Sequence, residues 1–460
     1  MPSAHRSSLR RPLLHLGRLL ALFAGLAALS LSARELHVRG DSPQGHEDGS
    51  PEHPWRSITG AVRAAVPGDL VLVHPVEGGY RETVNLYGIQ GGTPGNPITI
   101  DGQGSELIGS DPVSPEGWML DEKTGVYQRS DLRVIRRFFL VMDGAAIFPS
   151  KEAPANLPPG QWCEAGGVIY FRPPAGKTPG DMAIEATVRI NGIQIAGETT
   201  EIVIRNFNAR YFANDGYNIH GNARAVAFHH CNARDMGDEG FSAHGTTETL
   251  LDGAIYENCD NGVFNVNTGG RTITRNIVVR AARRMGFGIH PRDGEAEHTV
   301  ENAILIDCPV GLGLGKNTVV TNAIILSDLP AGTAIAMDHG GRLERVGVSG
   351  RAMEPLQIKE AGFFDLSRVC FNSARPIRIK TEKPLAEVIR FDACSAASGL
   401  GLKSGSKPVG PASEWISQEF PLVSTAEFLD GLLAGKPHGP SPELVRKAIQ
   451  ELRRGEKGDR

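Results

Sequence analysis

Gly216-Tyr217-Asn218-Ile219-His220, Gly240-Phe241-Ser242-Ala243-His244 and Gly286-Phe287-Gly288-Ile289-His290 can be laid over one another. Phe264-Asn265-Val266-Asn267 fills the same frame with asparagine in the histidine slot. The steps from His220 to His244, to Asn267 and to His290 are 24, 23 and 23 residues. Such a period, built from short alternating segments, marks a solenoid and here a β-helix, because one unit cannot bury its own apolar face and must stack. Equivalent residues of successive coils then lie one strand spacing apart, about 4.8 Å. Distant positions become a ladder.

Alternation within each segment sets the direction of the ladder. Tyr217/Ile219, Phe241/Ala243, Phe264/Val266 and Phe287/Ile289 are expected inside. Asn218, Ser242, Asn265 and Gly288 then point outward beside His220, His244, Asn267 and His290. The frame continues more loosely through Leu312-Gly313-Leu314-Gly315-Lys316 and Ile335-Ala336-Met337-Asp338-His339, which puts Gly315 and Asp338 in line with the histidines. The expected product is an outward polar strip able to seat a chain-like ligand.

The chain of 460 residues carries a net charge of −4, with 56 Gly and 30 Pro, a composition suited to many tight turns. No basic excess argues for nucleic acid. Arg6, Arg10 and Arg11, then the apolar run Leu19 to Leu29, then Ser30, Ser32 and Ala33, form a secretory leader over residues 1–33. The expectation is a secreted or periplasmic monomer with no membrane span after leader removal. Six cysteines in an exported chain raise the question of disulfides. Only Cys370 and Cys394 are spaced like neighbouring coils, so buried free thiols are expected.

Pro54 to Val66 is a short amphipathic helix ending at Pro67-Gly68-Asp69, followed by the strand Leu70 to His74, and it would cover the first open edge. Residues 111–180 lose the period, and Trp118, Trp162 and Val168-Ile169-Tyr170-Phe171 point to a β-rich excursion on the flank. Coils resume by Ala183, so the solenoid spans 34–410. The tail 411–460 holds a helix from Ser441 to Arg453, with Ser441 as N-cap, placed to cap the C-terminal edge.

The opening Pro67-Gly68-Asp69, then Gly92-Thr93-Pro94-Gly95-Asn96-Pro97-Ile98-Thr99-Ile100, followed by these coils, resembles the bacterial secreted right-handed parallel β-helix proteins. That superfamily includes pectate lyases, chondroitinase B and related alginate lyases, mannuronan C5-epimerases and polygalacturonases. The resemblance implies an all-β right-handed parallel β-helix and a polysaccharide ligand, acidic if the lyase members are the guide. Gly286-Phe287-Gly288-Ile289-His290-Pro291-Arg292-Asp293 is similar to the Gly-Phe-Asp-Pro-His-Asp stretch of the epimerases, with Gly288 and Ile289 standing for its first aspartate and its proline. This implies His290 as the base at C5 of a uronate, and His244 on the strip and the unpaired Arg292 are the candidates for its partner and for the carboxylate contact. Likeness to chondroitinase-type lyases implies instead Lys316 as base and Arg292 as acid, with calcium at the sugar carboxylate.

Residues 271–292 hold six arginines and no acid, but Glu248/Arg271, Asp252/Arg275, Glu257/Arg280 and Asp260/Arg283 are each 23 apart. They should meet across coils as ion pairs of about 0.2–1 kcal/mol each. Arg284 and Arg292 are left for a substrate carboxylate. Asp215, Asp238 and Glu239 precede the histidine strands, where their oxygens could hold Ca²⁺ or simply make turns before glycine. His220 and His290 should be about 14 Å apart across three rungs, so at most His220 and His244 share an ion. A hydrolase needs two or three convergent carboxylates. The strip offers Asp338, with Asp215 and Glu239 at its margin, so a lyase or epimerase leads and a hydrolase ranks lower. The rival class is a non-catalytic glycan-binding or cell-surface structural protein.

Overall fold

A computed structural model describes residues 33–89, 91–290, 295–359, 362–404, 407–411 and 414–456. The leader reading and Arg292 fall outside the described residues. From Glu35 onward the chain winds as a right-handed parallel β-helix, three short parallel strands to a coil. On the first face Ile193–Ile195, Tyr217–Ile219, the start of Glu239–Asp252, the start of Asn261–Arg275, Met285–Ile289, Val310–Leu314 and Gly332–Met337 pair in succession. Second and third faces complete each turn, the third carrying Asn208–Arg210, Asn232–Arg234, Ile255–Glu257 and Val278–Arg280.

Tyr217, Phe241, Val263, Phe287, Leu312 and Ile335 form one fully buried interior column. This corrects the expected place of Phe264, which lies opposite Ser242 and Gly288 on the outer side and is half-buried. Asn265 in turn lies inside, opposite Ala243 and Ile289, and is 1 % exposed. Asn267 pairs with Gly245 rather than His244, is wholly buried, and donates to the Thr247 hydroxyl. Neither asparagine can reach a ligand on the surface. The slip has a steric cause. Gly240, Gly262 and Gly286 make a column in which a Cβ would lie 2.4 Å from Tyr256 Cδ1, 2.6 Å from the Gly286 oxygen and 2.3 Å from Leu305 Cδ2. The residue after each glycine turns inward, and after Gly262 that residue is Val263.

The excursion is inserted at one junction. The strand Glu106–Ile108 closes a coil, and the next coil opens at Ile193, which pairs back to Val84. Between them lie two four-stranded antiparallel sheets. Phe138, Phe139, Trp162 and Phe171 form their core and pack on Ile108 and Tyr211 of the solenoid.

Helix α1 (Ile58–Ala64), capped by the Ser57 side chain, buries Ile58, Ala61 and Val62 in the main core. Helices α2 (Thr425–Leu433) and α3 (Pro442–Glu456) lie along the third face instead of over the C-terminal end. Phe428, Leu432 and Val445 cover an outward apolar patch of Val278, Ile304, Ile324 and Cys370. An apolar outer surface there has to be covered, and the amphipathic tail covers it. All six cysteines are free and buried. Among the described residues no helix is long and apolar enough to cross a membrane.

Two expected coil-to-coil ion pairs form, Asp252–Arg275 at 2.9 Å and Glu257–Arg280 at 3.5 Å, and Glu248 is in register with Arg271. The last pair is different: Asp260 takes Arg284, at 3.1 Å. Arg283 is drawn inward, donating to the carbonyls of Asn258, Met236 and Gly237 beneath the Phe148 ring of the excursion, 3.8 Å away. Arg284 is therefore not free for a substrate, as its spacing had led us to expect.

Candidate functional site

The outer side of the first face carries two rows. Asn218, Ser242, Phe264, Gly288, Gly313 and Ala336 follow one another in register, but Asn218 and Ser242, expected at the surface, are buried and turned onto Asp215. Beside them run His220, His244, Val266 and His290, with Gly315 and Asp338 further on. His220 and His244 stack with ring centroids 4.3 Å apart and planes at 1°, and His220 is exposed. His290 is half-buried, with Phe264 at 5.7 Å taking the place of a histidine neighbour. Burial lowers the pKa of His290 against the opposing pull of Asp338, which favours the neutral ring. Lys316 sits in the turn after Gly315.

Phe264 is the residue that pattern reasoning missed here. Expected inside, it instead offers an aromatic edge to the face, with the Arg284 guanidinium 5.5 Å from its centroid. The adjacent gaps are small: a Cβ on Gly288 would lie 2.3 Å from the Phe264 ring.

At the leading edge of the same strands three carboxylates converge. Oxygens of Asp215, Asp238 and Glu239 all lie within 4.8 Å of one another, and the three residues are 1 %, 5 % and 6 % exposed. Adjacent coils bring Asp215 opposite Glu239, while Asp238 and Glu239 are consecutive. Asp215 accepts from Asn218 at 2.5 Å and from Ser242 at 2.6 Å, which ties the polar row to the acids. Glu239 accepts from Asn261 at 2.9 Å. Asp238 is ion-paired with Arg137, which also bonds Asn214. Arg137 comes from the excursion, where a left-handed turn (φ 59°) and the buried Phe138 and Phe139 behind it fix its direction. The aperiodic excursion gave no sequence signal for it.

Three acids so close and so dry cannot all ionise. Burial, and then the charge of Asp215, push the Glu239 carboxyl up to about 11, so it holds its proton at neutral pH. Burial also raises Asp238, opposed by Arg137. Calcium asks for about six to eight oxygen ligands, whereas here side-chain donors already occupy Asp215 and Glu239 and a guanidinium sits on Asp238. These residues do not fit a resident calcium ion. A proton and Arg137 neutralise two of the three, and the Asn218 and Ser242 hydrogen bonds hold Asp215.

No protein-family model matches the chain, and no curated protein matches it in sequence. Among solved structures, one described as a glycoside hydrolase superposes with a TM-score of 0.50 at 12% identity, over 90% of this chain and 100% of that one. A complex of XylC with xylose gives 0.43 at 11% identity over 84% and 86%, and pectate lyase Pel9A gives 0.38 at 9% over 74% and 75%. At such identities the likeness is one of architecture. It agrees with the strand registers in giving the chain a right-handed parallel β-helix fold.

Proposed function

We propose that the protein is a polysaccharide-active enzyme that lays a sugar chain across the outer side of the first face and cleaves it by acid catalysis from Glu239. The observation that carries this reading is the convergence of Asp215, Asp238 and Glu239, with Glu239 protonated beside acceptors. A carboxylic acid kept neutral next to an ionised one is the pairing that glycosidic hydrolysis uses. Glu239 would give its proton to the glycosidic oxygen as the bond to the anomeric carbon breaks. With oxygens this close there is no room for water between the acids, so an oxygen of Asp215 or Asp238 would attack that carbon, and water, giving a proton back to Glu239, would then release the sugar. Arg137, 31% exposed as a side chain, lies at the cluster, and a sugar entering there would trade places with it. Phe264 and the stacked His220 and His244 supply an aromatic edge and polar contacts along the chain. The neighbours described as glycoside hydrolase, exopolygalacturonase and pectate lyase support a glycan substrate without choosing the reaction.

A second reading keeps β-elimination or C5-epimerisation of a uronate, with His290 as base, His244 as partner and Arg292 on the carboxylate. Its support is the half-buried neutral imidazole with Asp338 acting on it. In either reading the leader would export the chain to act outside the cytoplasm as a monomer.

One experiment separates these readings. The mature chain is incubated with a panel of neutral and acidic polysaccharides, following reducing ends and the absorbance of unsaturated uronates in parallel. New reducing ends without unsaturation, lost in Glu239→Gln, support hydrolysis. Unsaturation lost in His290→Ala supports elimination. Neither product but an altered uronate epimer ratio by proton NMR, lost in His290→Ala, supports epimerisation, and binding with no change of any kind leaves a glycan-binding protein.

A further inference from the structure

The third face carries a second feature that the reaction does not use. Between the excursion and α3 lies a groove of about 330 Å³, lined by Arg210, Arg234 and Arg280 with Glu106, Glu257 and Asn232. Strand register sets Arg210 directly opposite Arg234, Arg234 opposite Glu257, and Glu257 opposite Arg280. Glu106 pairs with Arg210 at 2.7 Å and Glu257 with Arg280 at 3.5 Å. At the rim Glu451 contacts Arg280 at 3.5 Å and is matched by Arg454 at 3.0 Å. Arg234 is left, half-buried, with no carboxylate in ion-pair contact among the described residues. The nearby Asp235 is turned to another partner, accepting from Asn258 at 2.6 Å.

Arg234 is therefore the groove guanidinium without an ion-pair partner among the described residues, and the Asp235 carboxylate acts on it and on Arg210 only through space. Like charges directly opposite on neighbouring strands destabilise a sheet. Desolvation falls on the guanidinium groups around Arg234: the Nε atoms of Arg210 and Arg280 are buried without an acceptor. Buried donors without partners cost stability that a ligand oxygen would return. Arg forks match a planar carboxylate better than any other side chain. The groove wall adds Ile255 and the Asn208 and Asn232 amides, which are bonded to one another and to the backbone of Gly104 and Ile255 and so hold the wall rigid.

We infer that this groove is a second carbohydrate site, which binds the carboxylate of a uronic acid through Arg234 and Arg210, on a different face from the reaction. The need for an anion follows from the arginines alone, whereas the choice of a sugar acid rests on the proposed glycan activity. A glycan held there would tether the enzyme to its polymer while the first face works.

The test uses the full chain and three probes, glucuronate, glucose and inorganic sulfate, with binding followed by calorimetry and by thermal shift. Glucuronate should bind at least about tenfold more weakly to Arg234→Gln than to the parent, equivalent to about 1.4 kcal/mol, and glucose should bind neither. Binding should persist in Glu239→Gln, which separates this groove from the acid cluster. Unchanged glucuronate binding in Arg234→Gln overturns the site. Sulfate binding with no response to glucuronate overturns its assignment to a sugar acid. Absence of cleavage on every polysaccharide would remove the proposed reaction but leave these binding outcomes intact.

Discussion

Glu239→Gln should make the protein more stable and less active at once. The unfolded carboxyl titrates near 4.5 and the folded one is pushed up to about 11, mainly by burial and then by Asp215. A raised folded value means that stability is full below about pH 4.5 and is lost as pH rises toward 11. Each pH unit in that window costs about 1.4 kcal/mol, so at pH 7 the penalty is about 3–4 kcal/mol. Glutamine keeps the acceptor for Asn261, offers an amide donor to the Asp215 and Asp238 oxygens, and carries no charge to desolvate. Denaturant melts at pH 4 and pH 8 provide the assay. The parent should weaken steeply between them, and the variant should weaken less, overtaking the parent by a few kcal/mol at the higher pH. Loss of the proposed general acid should lower turnover by roughly 10²–10⁴. A variant less stable than the parent at pH 8, or one with the parent's pH slope, would refute the claim that Glu239 holds its proton in the fold.

Phe264→Ala should leave the fold intact, since the ring lies outside the solenoid, and should weaken glycan binding by roughly tenfold, about 1.4 kcal/mol, in a titration. Gly262→Ala should destabilise by about 1–3 kcal/mol, because its Cβ would meet the Gly286 oxygen and both Val279 methyls at 2.6 Å; an unchanged melt would contradict the register. Reversing Asp252 alone should cost under about 1 kcal/mol, and reversing Arg275 as well should restore it, read by melts at low salt. Arg137→Met should raise the pH dependence of stability above pH 6, since Asp238 would lose its counter-charge; a flat profile would separate Arg137 from the acids.

The period was legible because stacking forces equivalence. Side chains that share a coil position share an environment, and the apolar alternation at Tyr217, Phe241 and Phe287 reports it. What failed was the alignment of one coil. Phe264 was matched to Phe241 by side-chain type, whereas the position that tolerates no side chain is the stricter marker. The row Gly216, Gly240, Gly262, Gly286 and Gly311 would have placed Val263 inside and Phe264 outside. The acids were visible as a cluster at the strand margin, and the 24-residue step sets Asp215 opposite Glu239, but their burial and the bonds from Asn218 and Ser242 to Asp215 are not encoded in spacing. Arg137 was illegible because its contact spans a hundred residues from an aperiodic insertion. The placement of α3 was missed for a related reason. An amphipathic pattern states that one helix face is covered but not by what, and the partner patch at Val278, Ile304 and Ile324 looked like ordinary strand composition.

The lateral position of that tail changes how the solenoid should come apart. In a stacked array each coil touches only its neighbours, so the end can fray one turn at a time. Helices α2 and α3 touch Val278, Ile304, Ile324 and Cys370, which belong to four different coils. They act as a splint across rungs that otherwise communicate only through those between them. Loss of the last coil then does not simply expose the next, because the next is still held from the side. The C-terminal half should therefore open as a block once the splint lifts, and a protease that trims the tail should convert one sharp transition into a graded one.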